Sequence, residues 1–254
     1  MSRKLTVLTM RRTYPSSRLL AAGLKELLGI NVRVTRMWDT IDEDTFVVRY
    51  GNMMGHFPYQ INSPDFIRIC GRKLRTQAAL SGIVDTPHFY TQEVKPDKYP
   101  ALIRTTLTGF GGRGAHVVEN EMEFDSFVNS INRFHWTPMR PIVKEYRVHM
   151  LGGKLCRFFQ KVRVDGQPDI VNPIRNSGNG YRFSLRYHID EFPGLLDFVG
   201  KVSDALTYDF VAMDVGFCSD TQSYMLIELN SAPGLNTLTS VKYAEFIAER
   251  YKSV

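Results

Sequence analysis

Asp214 lies inside an apolar run, Phe210-Val-Ala-Met-Asp-Val-Gly-Phe217, and a short polar stretch carries the chain on to Tyr224-Met-Leu-Ile-Glu228-Leu-Asn230. Two β-rich segments joined by a brief polar turn read as a hairpin. Residues two apart on a strand share a face, so Glu228 and Asn230 point the same way. With the turn centred near Asp220-Thr221, Asp214 falls opposite Glu228, their Cβ atoms about 5 Å apart. Carboxylates at the end of an otherwise apolar hairpin are costly unless something positive stands between them. Oxygen ligands without His or Cys suit Mg²⁺, which takes few protein ligands and completes its octahedron with water and phosphate oxygens. The bland alternative is an ordinary hairpin whose polar residues are solvated. Either reading requires antiparallel strands here.

Upstream, Ala101-Leu-Ile-Arg104 runs through Thr105-Thr-Leu-Thr-Gly109-Phe-Gly111-Gly112-Arg113-Gly114 into Ala115-His-Val-Val118. This is strand, glycine loop, strand. It is neither the strand–loop–helix of a dinucleotide fingerprint nor a P-loop, because no Gly-Lys-Ser/Thr follows. Glycines let backbone N–H groups approach phosphate oxygens, and a hairpin loop of this kind can fold over a triphosphate as a lid. Alone the loop also reads as simple structural punctuation. Beside a hard-cation carboxylate cluster, phosphate binding becomes the better reading.

A chain of 254 residues with a net charge of +6 can bury a proper core, and its basic balance suits an anionic ligand such as a nucleotide. Its Lys and Arg residues are scattered, and no zinc-knuckle, RNP or helix-turn-helix signature appears, so nucleic acid is not the expected partner. Three separated cysteines, Cys70, Cys156 and Cys218, form no C-x-x-C and point to reduced thiols in a cytosol. No apolar run approaches the length of a membrane span, and the histidines have no metal-ligand spacing.

Along the chain, the pattern predicts a strand over 5–10, a helix from Tyr14 to about Leu28, and strands over 32–37 and 45–50. A helix over 72–80 follows. From 99 to 135 come strand, glycine loop, strand and a helix from Glu121 to Phe134. The run Trp136-Thr-Pro-Met-Arg-Pro141 reads as a proline-containing linker. Strands over 142–151 and 155–164, a polar loop over 172–180, a strand over 181–187, a helix over 192–207, the acidic hairpin and a helix from about Val241 complete an α+β pattern.

This order of elements, with Lys73 opening a helix, the glycine loop, Glu145-Tyr-Arg147-Val-His-Met, Arg175-Asn176, and Met-Asp214 followed by Ile-Glu228-Leu-Asn230-Ser-Ala-Pro-Gly, resembles the ATP-grasp superfamily. Within it, the chain is similar to the RimK-like amino-acid or peptide ligases, including short phage versions. The resemblance covers roughly residues 70–240, and the first 70 residues match the family's small leading α/β domain only in layout. It implies a small α/β domain over 1–70, a subdomain with the glycine lid over 71–138, and a subdomain with the metal site over 139–254.

The resemblance further implies that Asp214, Glu228 and Asn230 hold two Mg²⁺ ions against ATP, with Mn²⁺ a possible substitute. Gly109, Gly111, Gly112, Arg113 and Gly114 would close over the triphosphate. Lys73 and Arg104 fall where the family places its nucleotide-phosphate lysines; Arg104 keeps the charge but not the compact ammonium. The adenine would lie near 134–138, Thr137 included, or along Val143-Lys144. Lys161 and Arg163 project from one strand face and either line the cleft or are solvated. Arg147 and Arg175 are assigned to the carboxylate substrate or the tetrahedral intermediate, the alternative for each being a surface ion pair.

The implied activity is ATP-dependent joining of a carboxylate to an amine, with ADP and phosphate released. A kinase using the same cradle, or a non-catalytic synapsin-like ATP-binding module, are the competing expectations. D-alanine–D-alanine ligases carry an arginine two residues before the metal-binding Asp, where this chain has Ala212. That argues against a D-alanyl dipeptide product.

Overall fold

A computed structural model describes residues 3–10, 14–106, 114–164 and 174–254. The chain opens with β1 (Leu5–Thr9), α1 (Tyr14–Leu28), β2 (Val32–Thr35), β3 (Phe46–Tyr50), β4 (Gln60–Ile61) and α2 (Pro64–Cys70). The strands form a sheet in the order β2-β1-β3-β4 with every pairing parallel. Every residue of β1 and of β3 is buried, as a parallel sheet covered on both faces requires. Helix α2 was not expected from the sequence, although Ser63 before Pro64 is a helix-start signal and its side chain does accept from Phe66 N–H.

Next come α3 (Lys73–Leu80), β5 (Tyr90–Thr91), β6 (Ala101–Arg104), β7 (Ala115–Val118), α4 (Glu121–Val128) and β8 (His135–Pro138). They build an antiparallel sheet in the order β5-β8-β6-β7. Two expectations are corrected here. The helix expected to reach Phe134 stops at Val128, yet Phe134 still packs beside Phe124 in the same core; its burial comes from the loop. The stretch read as a linker is partly strand: Trp136 and Thr137 pair with Ile103 and Leu102, and Pro138 stands at the strand's end.

The remainder is β9 (Ile142–Leu151), β10 (Lys154–Arg163), β11 (Tyr181–Ser184), α5 (Leu195–Asp204), β12 (Phe210–Cys218), β13 (Ser223–Asn230) and α6 (Thr237–Lys252). A five-stranded antiparallel sheet runs β11-β10-β9-β12-β13. The predicted hairpin register is present, with Asp214 opposite Glu228. A bulge follows, Val215 pairing with Leu226, so Ile227 is the extra residue. Helix α6 begins at Thr237, earlier than expected, where Asn236 accepts from Thr239 N–H.

One core lies between the central sheet and α5, with Tyr146, Val148, Val199, Val202, Met213 and Val215 at its centre. Another joins the ends of the chain: Tyr243, Ala244 and Ile247 of α6 pack with Leu20 and Leu24 of α1 and with β1 and β3. The last helix thus completes the core of the first sheet. The architecture is α+β. Among the described residues no helix is long and apolar enough to cross a membrane.

Candidate active site

A cavity of about 630 Å³ opens between the middle sheet and the central sheet. Leu102, Arg104 and Thr137 line it from the middle sheet, and Glu145, Arg147, Lys161, Asp214 and Glu228 from the central sheet. Its apolar wall includes Phe89, Met139, Ile142, Ile174 and Met225. The site is a consequence of strand alternation. Along β9, Glu145, Arg147 and His149 share one face, while Tyr146 and Val148 enter the core on the other. Register then sets Arg147 beside Asp214 and Asp214 beside Glu228, a row crossing three strands.

The charges in this row are paired. Arg147 grips Asp214 with a two-pronged fork, Nε to Oδ1 at 2.6 Å and Nη2 to Oδ2 at 2.7 Å. Lys73, at the start of α3, reaches Glu228 Oε2 at 2.6 Å. Lys161 donates to Glu145 Oε1 from the neighbouring strand. Burial by itself pushes the Asp214 carboxyl up, but the Arg147 guanidinium outweighs it and leaves Asp214 below the usual aspartate value. Glu145 ends on the other side: burial raises it and Lys161 only partly offsets the rise.

The positive partners that the acidic hairpin requires are therefore Arg147 and Lys73. Among the described residues no three His, Cys, Asp or Glu side chains gather as a metal site. What is present is two carboxylates and an amide. Asn230, two residues after Glu228, has its side-chain Nδ2 buried without a hydrogen-bond partner. A buried amide N–H left unpaired is costly, and an acceptor such as a phosphate oxygen or water at Nδ2 would relieve that cost, leaving Oδ1 as the atom that could face a cation. Two carboxylates and an amide form a hard-oxygen donor set, which fits Mg²⁺ with its remaining ligands drawn from water and phosphate.

Other residues singled out from the sequence are placed as follows. Arg104 lines the cavity from β6; its Nε has no hydrogen-bond partner, and burial lowers its pKa while Glu228 opposes the shift. Arg175 lines the cavity and donates through Nη2 to the Ile142 carbonyl, with Tyr181 beneath its guanidinium. Asn176 also lines it and caps a short turn, accepting from Asn179 N–H at 2.9 Å. Arg163 lies over Tyr181. Thr137 is buried at the cavity wall.

Lys144 is not brought to the cavity. Strand alternation turns it to the face opposite Glu145, exposed, with its ammonium over the Phe192 ring. Gly114 has φ +68°, and a Cβ there would stand 2.5 Å from Thr105 Oγ1, so the position requires glycine. Gly109, Gly111, Gly112 and Arg113 lie outside the described residues.

Sequence reasoning missed two contributors. Phe183, opposite Lys161 in the register, lies under both the Arg147 guanidinium (4.4 Å) and the Lys161 ammonium (5.5 Å). Only the pairing of β10 with β11 reveals it. Arg140 joins the cavity wall to the hairpin turn, reaching Asp85 at 3.2 Å, Asp220 at 3.3 Å and Thr221 Oγ1 at 3.0 Å. Its signal was its place between two prolines, in the stretch read as a linker.

No protein-family model and no curated protein matches the chain. Solved structures do. D-alanine–D-alanine ligase from Bacillus anthracis, complexed with ATP, superposes with a TM-score of 0.71 at 12% identity, over 99% of this chain and 97% of that one. A RimK domain ATP-grasp protein from Sphaerobacter thermophilus gives 0.68 at 14% identity, over 96% and 98%. The ATP-grasp ligase PsnB, complexed with a minimal precursor, gives 0.67 at 11% identity, over 97% and 99%. With coverage near completeness on both sides, this chain has the ATP-grasp fold.

Proposed function

We propose that the chain is an ATP- and Mg²⁺-dependent ligase of the RimK-like kind, activating a carboxylate as an acyl phosphate and joining it to an amine. The supporting observation is the register-aligned row of Arg147, Asp214 and Glu228 with Lys73, set at one wall of a cavity carrying a surplus of cations. Arg104, with an unpartnered Nε, and Lys161 on the cavity wall would receive phosphate oxygens, and Lys73, outside that wall but paired with Glu228, would join them. Thr137 and Met139, on the cavity wall, would flank the adenine.

Asp214, Glu228 and Asn230 would hold Mg²⁺, which when bound neutralises charge on the β- and γ-phosphates. Arg175 orients the carboxylate. Arg147 would reach the same carboxylate through Nη1, which its fork on Asp214 does not use. Glu145, kept close to Lys161, leaves that lysine's charge partly balanced until phosphate arrives. Ala212, buried beside Asn230 in the register, occupies the position where D-alanine–D-alanine ligases place an arginine, which argues against a D-alanyl dipeptide product.

The test uses hydroxylamine, which intercepts an acyl phosphate whatever the natural amine is. Incubation with ATP, Mg²⁺, hydroxylamine and pools of amino acids or short peptides is expected to yield a hydroxamate together with ADP. Glu228→Gln is expected to lower that turnover by about 10²-fold or more. A phosphorylated alcohol without hydroxamate would favour a kinase. Tight ATP binding with neither product would favour a non-catalytic module.

A further inference from the structure

Two rings, Tyr181 and Phe183, share one face of β11, the outermost strand of the central sheet. Register sets Tyr181 opposite Arg163 and Phe183 opposite Lys161, and both rings line the cavity. Cations stand over each of them. The Arg147 guanidinium lies 4.4 Å and the Lys161 ammonium 5.5 Å from the centre of the Phe183 ring. Arg163 and Arg175 lie 5.4 and 5.8 Å from that of Tyr181. All these distances fall within the reach of a ring quadrupole for a cation.

Packing does not account for Phe183. Its side chain is 40% exposed, and among the described residues it belongs to neither of the two large cores. It meets the Phe159 ring edge-on at 6.0 Å, a contact that another apolar side chain of similar size would also supply. What only an aromatic ring adds is attraction to a cation through its face.

The carboxylates hold the same cations in a different way. Asp214 takes Nε and Nη2 of Arg147, and Glu145 takes a donor of Lys161. A carboxylate occupies N–H groups, so an arriving anion competes with it. A ring holds the flat face of a guanidinium, or one side of an ammonium, and takes up no N–H lying in the guanidinium plane. Nη1 of Arg147 thus stays outside the fork while the ring fixes the group that carries it. The cavity wall also holds more cations than carboxylates, with Arg104, Arg140 and Arg175 beside Arg147 and Lys161, against Glu145, Asp214 and Glu228. Like charges crowded together repel, and the rings offset part of that repulsion without neutralising the site.

We propose that Phe183 is a positioning residue for the anions of the reaction. Its ring holds Arg147 and Lys161 by their faces and leaves N–H donors to meet phosphate and carboxylate oxygens. Tyr181 gives Arg175 the same footing. This deepens the ligase reading and rests on it for which anion arrives.

The electron density of the ring can be lowered with little change of shape. Phenylalanines of increasing ring fluorination are placed at position 183 of the full chain, and MgATP binding to each is measured by calorimetry, beside Phe183→Tyr and Phe183→Leu. Affinity is expected to fall stepwise with fluorination, to be restored in Phe183→Tyr, and to drop about five-fold in Phe183→Leu, all with melting temperatures near that of the unaltered protein. The same affinity across the fluorinated series, or a Phe183→Leu that binds as tightly as the unaltered protein, would overturn the proposal. So would equal losses in Phe183→Tyr and Phe183→Leu, which would report shape and not the ring's charge distribution. A graded response without hydroxamate from any pool would leave the role of Phe183 standing and remove the ligase reading instead. No binding of MgATP by the unaltered chain would remove both.

Discussion

Two buried guanidiniums show how differently this chain uses one side chain. Arg49, inside the parallel sheet, is completely inaccessible, and its hydrogen bonds go to neutral oxygens: Gln60 Oε1 and the carbonyls of Asn52, Met54 and Gly55. Burial lowers its pKa to about 10. Arg147, in the central sheet, is gripped by an ionised carboxylate, and Asp214 holds its pKa above the usual arginine value against the pull of burial. A cation satisfied by backbone carbonyls has partners that cannot leave. A cation satisfied by a carboxylate has a partner that a metal can claim. The first arrangement suits a fixed scaffold and the second an exchangeable site.

Replacing both arginines breaks this comparison open. Arg49→Met orphans several buried acceptors, none of which can be neutralised by a proton, and a loss of about 3–5 kcal/mol is expected at every pH between 5 and 8. Arg147→Met leaves Asp214 buried and unpaired. That carboxyl can take up a proton: without Arg147 its pKa rises above the unfolded value, so the penalty is full at high pH and shrinks as pH falls. Denaturant unfolding of both variants across that pH range distinguishes them. A pH-independent loss in Arg147→Met would mean that Asp214 finds another partner, and the contrast would fail.

The sequence conveyed the site better than the scaffold, for physical reasons. Strand alternation and a short turn are local, so the pairing of Asp214 with Glu228 and the shared face of Glu145 and Arg147 were legible. The same alternation already placed Lys144 on the far face; it entered through the alternative of an adenine lying along Val143-Lys144. The bulge at Ile227 carries no local signature. Periodicity reports burial and not helicity, which is why the helix ending at Val128 was extended to Phe134. Prolines at 138 and 141 suggested a linker where β8 forms, because its pairing with β6 lies more than thirty residues away in sequence. Arg49 carries no signal of its own within Phe46–Tyr50, and only the folded loop at 52–55 shows what it binds. The joining of α6 to α1 is the least local contact of all, and nothing within either helix announces it.

His149 sits where the two regions meet and sharpens the contrast between them. It lies on the Arg147 face of β9 and its Nδ1 is 2.9 Å from the Tyr243 hydroxyl of α6, whose neighbours cover the first sheet. Burial, reinforced by Arg147, lowers its pKa to about 3. The sign is that of a base depressed in the folded state: its stability contribution is complete above the unfolded value of about 6.5 and is lost as pH falls below it. Between pH 6.5 and 5 the expected loss is about 2 kcal/mol, at about 1.4 kcal/mol per pH unit. His149→Gln should be less stable at pH 7 yet show a flatter acid limb in unfolding experiments. An unchanged slope would mean that His149 is charged in the fold.

The smallest effect concerns the two faces of β9. Lys144 and Lys161 were both assigned to the nucleotide from sequence, but only Lys161 lines the cavity, where it contacts Glu145 and faces Phe183. Lys144 stands on the opposite face over Phe192, with its ammonium in water. An exposed cation over a ring contributes about 0.5–1 kcal/mol to stability and nothing to phosphate binding. Lys144→Ala is therefore expected to lower stability by no more than that and to leave ATP affinity unchanged. Lys161→Met should weaken ATP binding about ten-fold, through loss of one charge-assisted contact, and leave Glu145 buried without its cation. Calorimetric titration of MgATP into the two variants measures the difference directly. Equal weakening by both would show that the nucleotide reaches across to the outer face of the sheet, against the alternation that places the site.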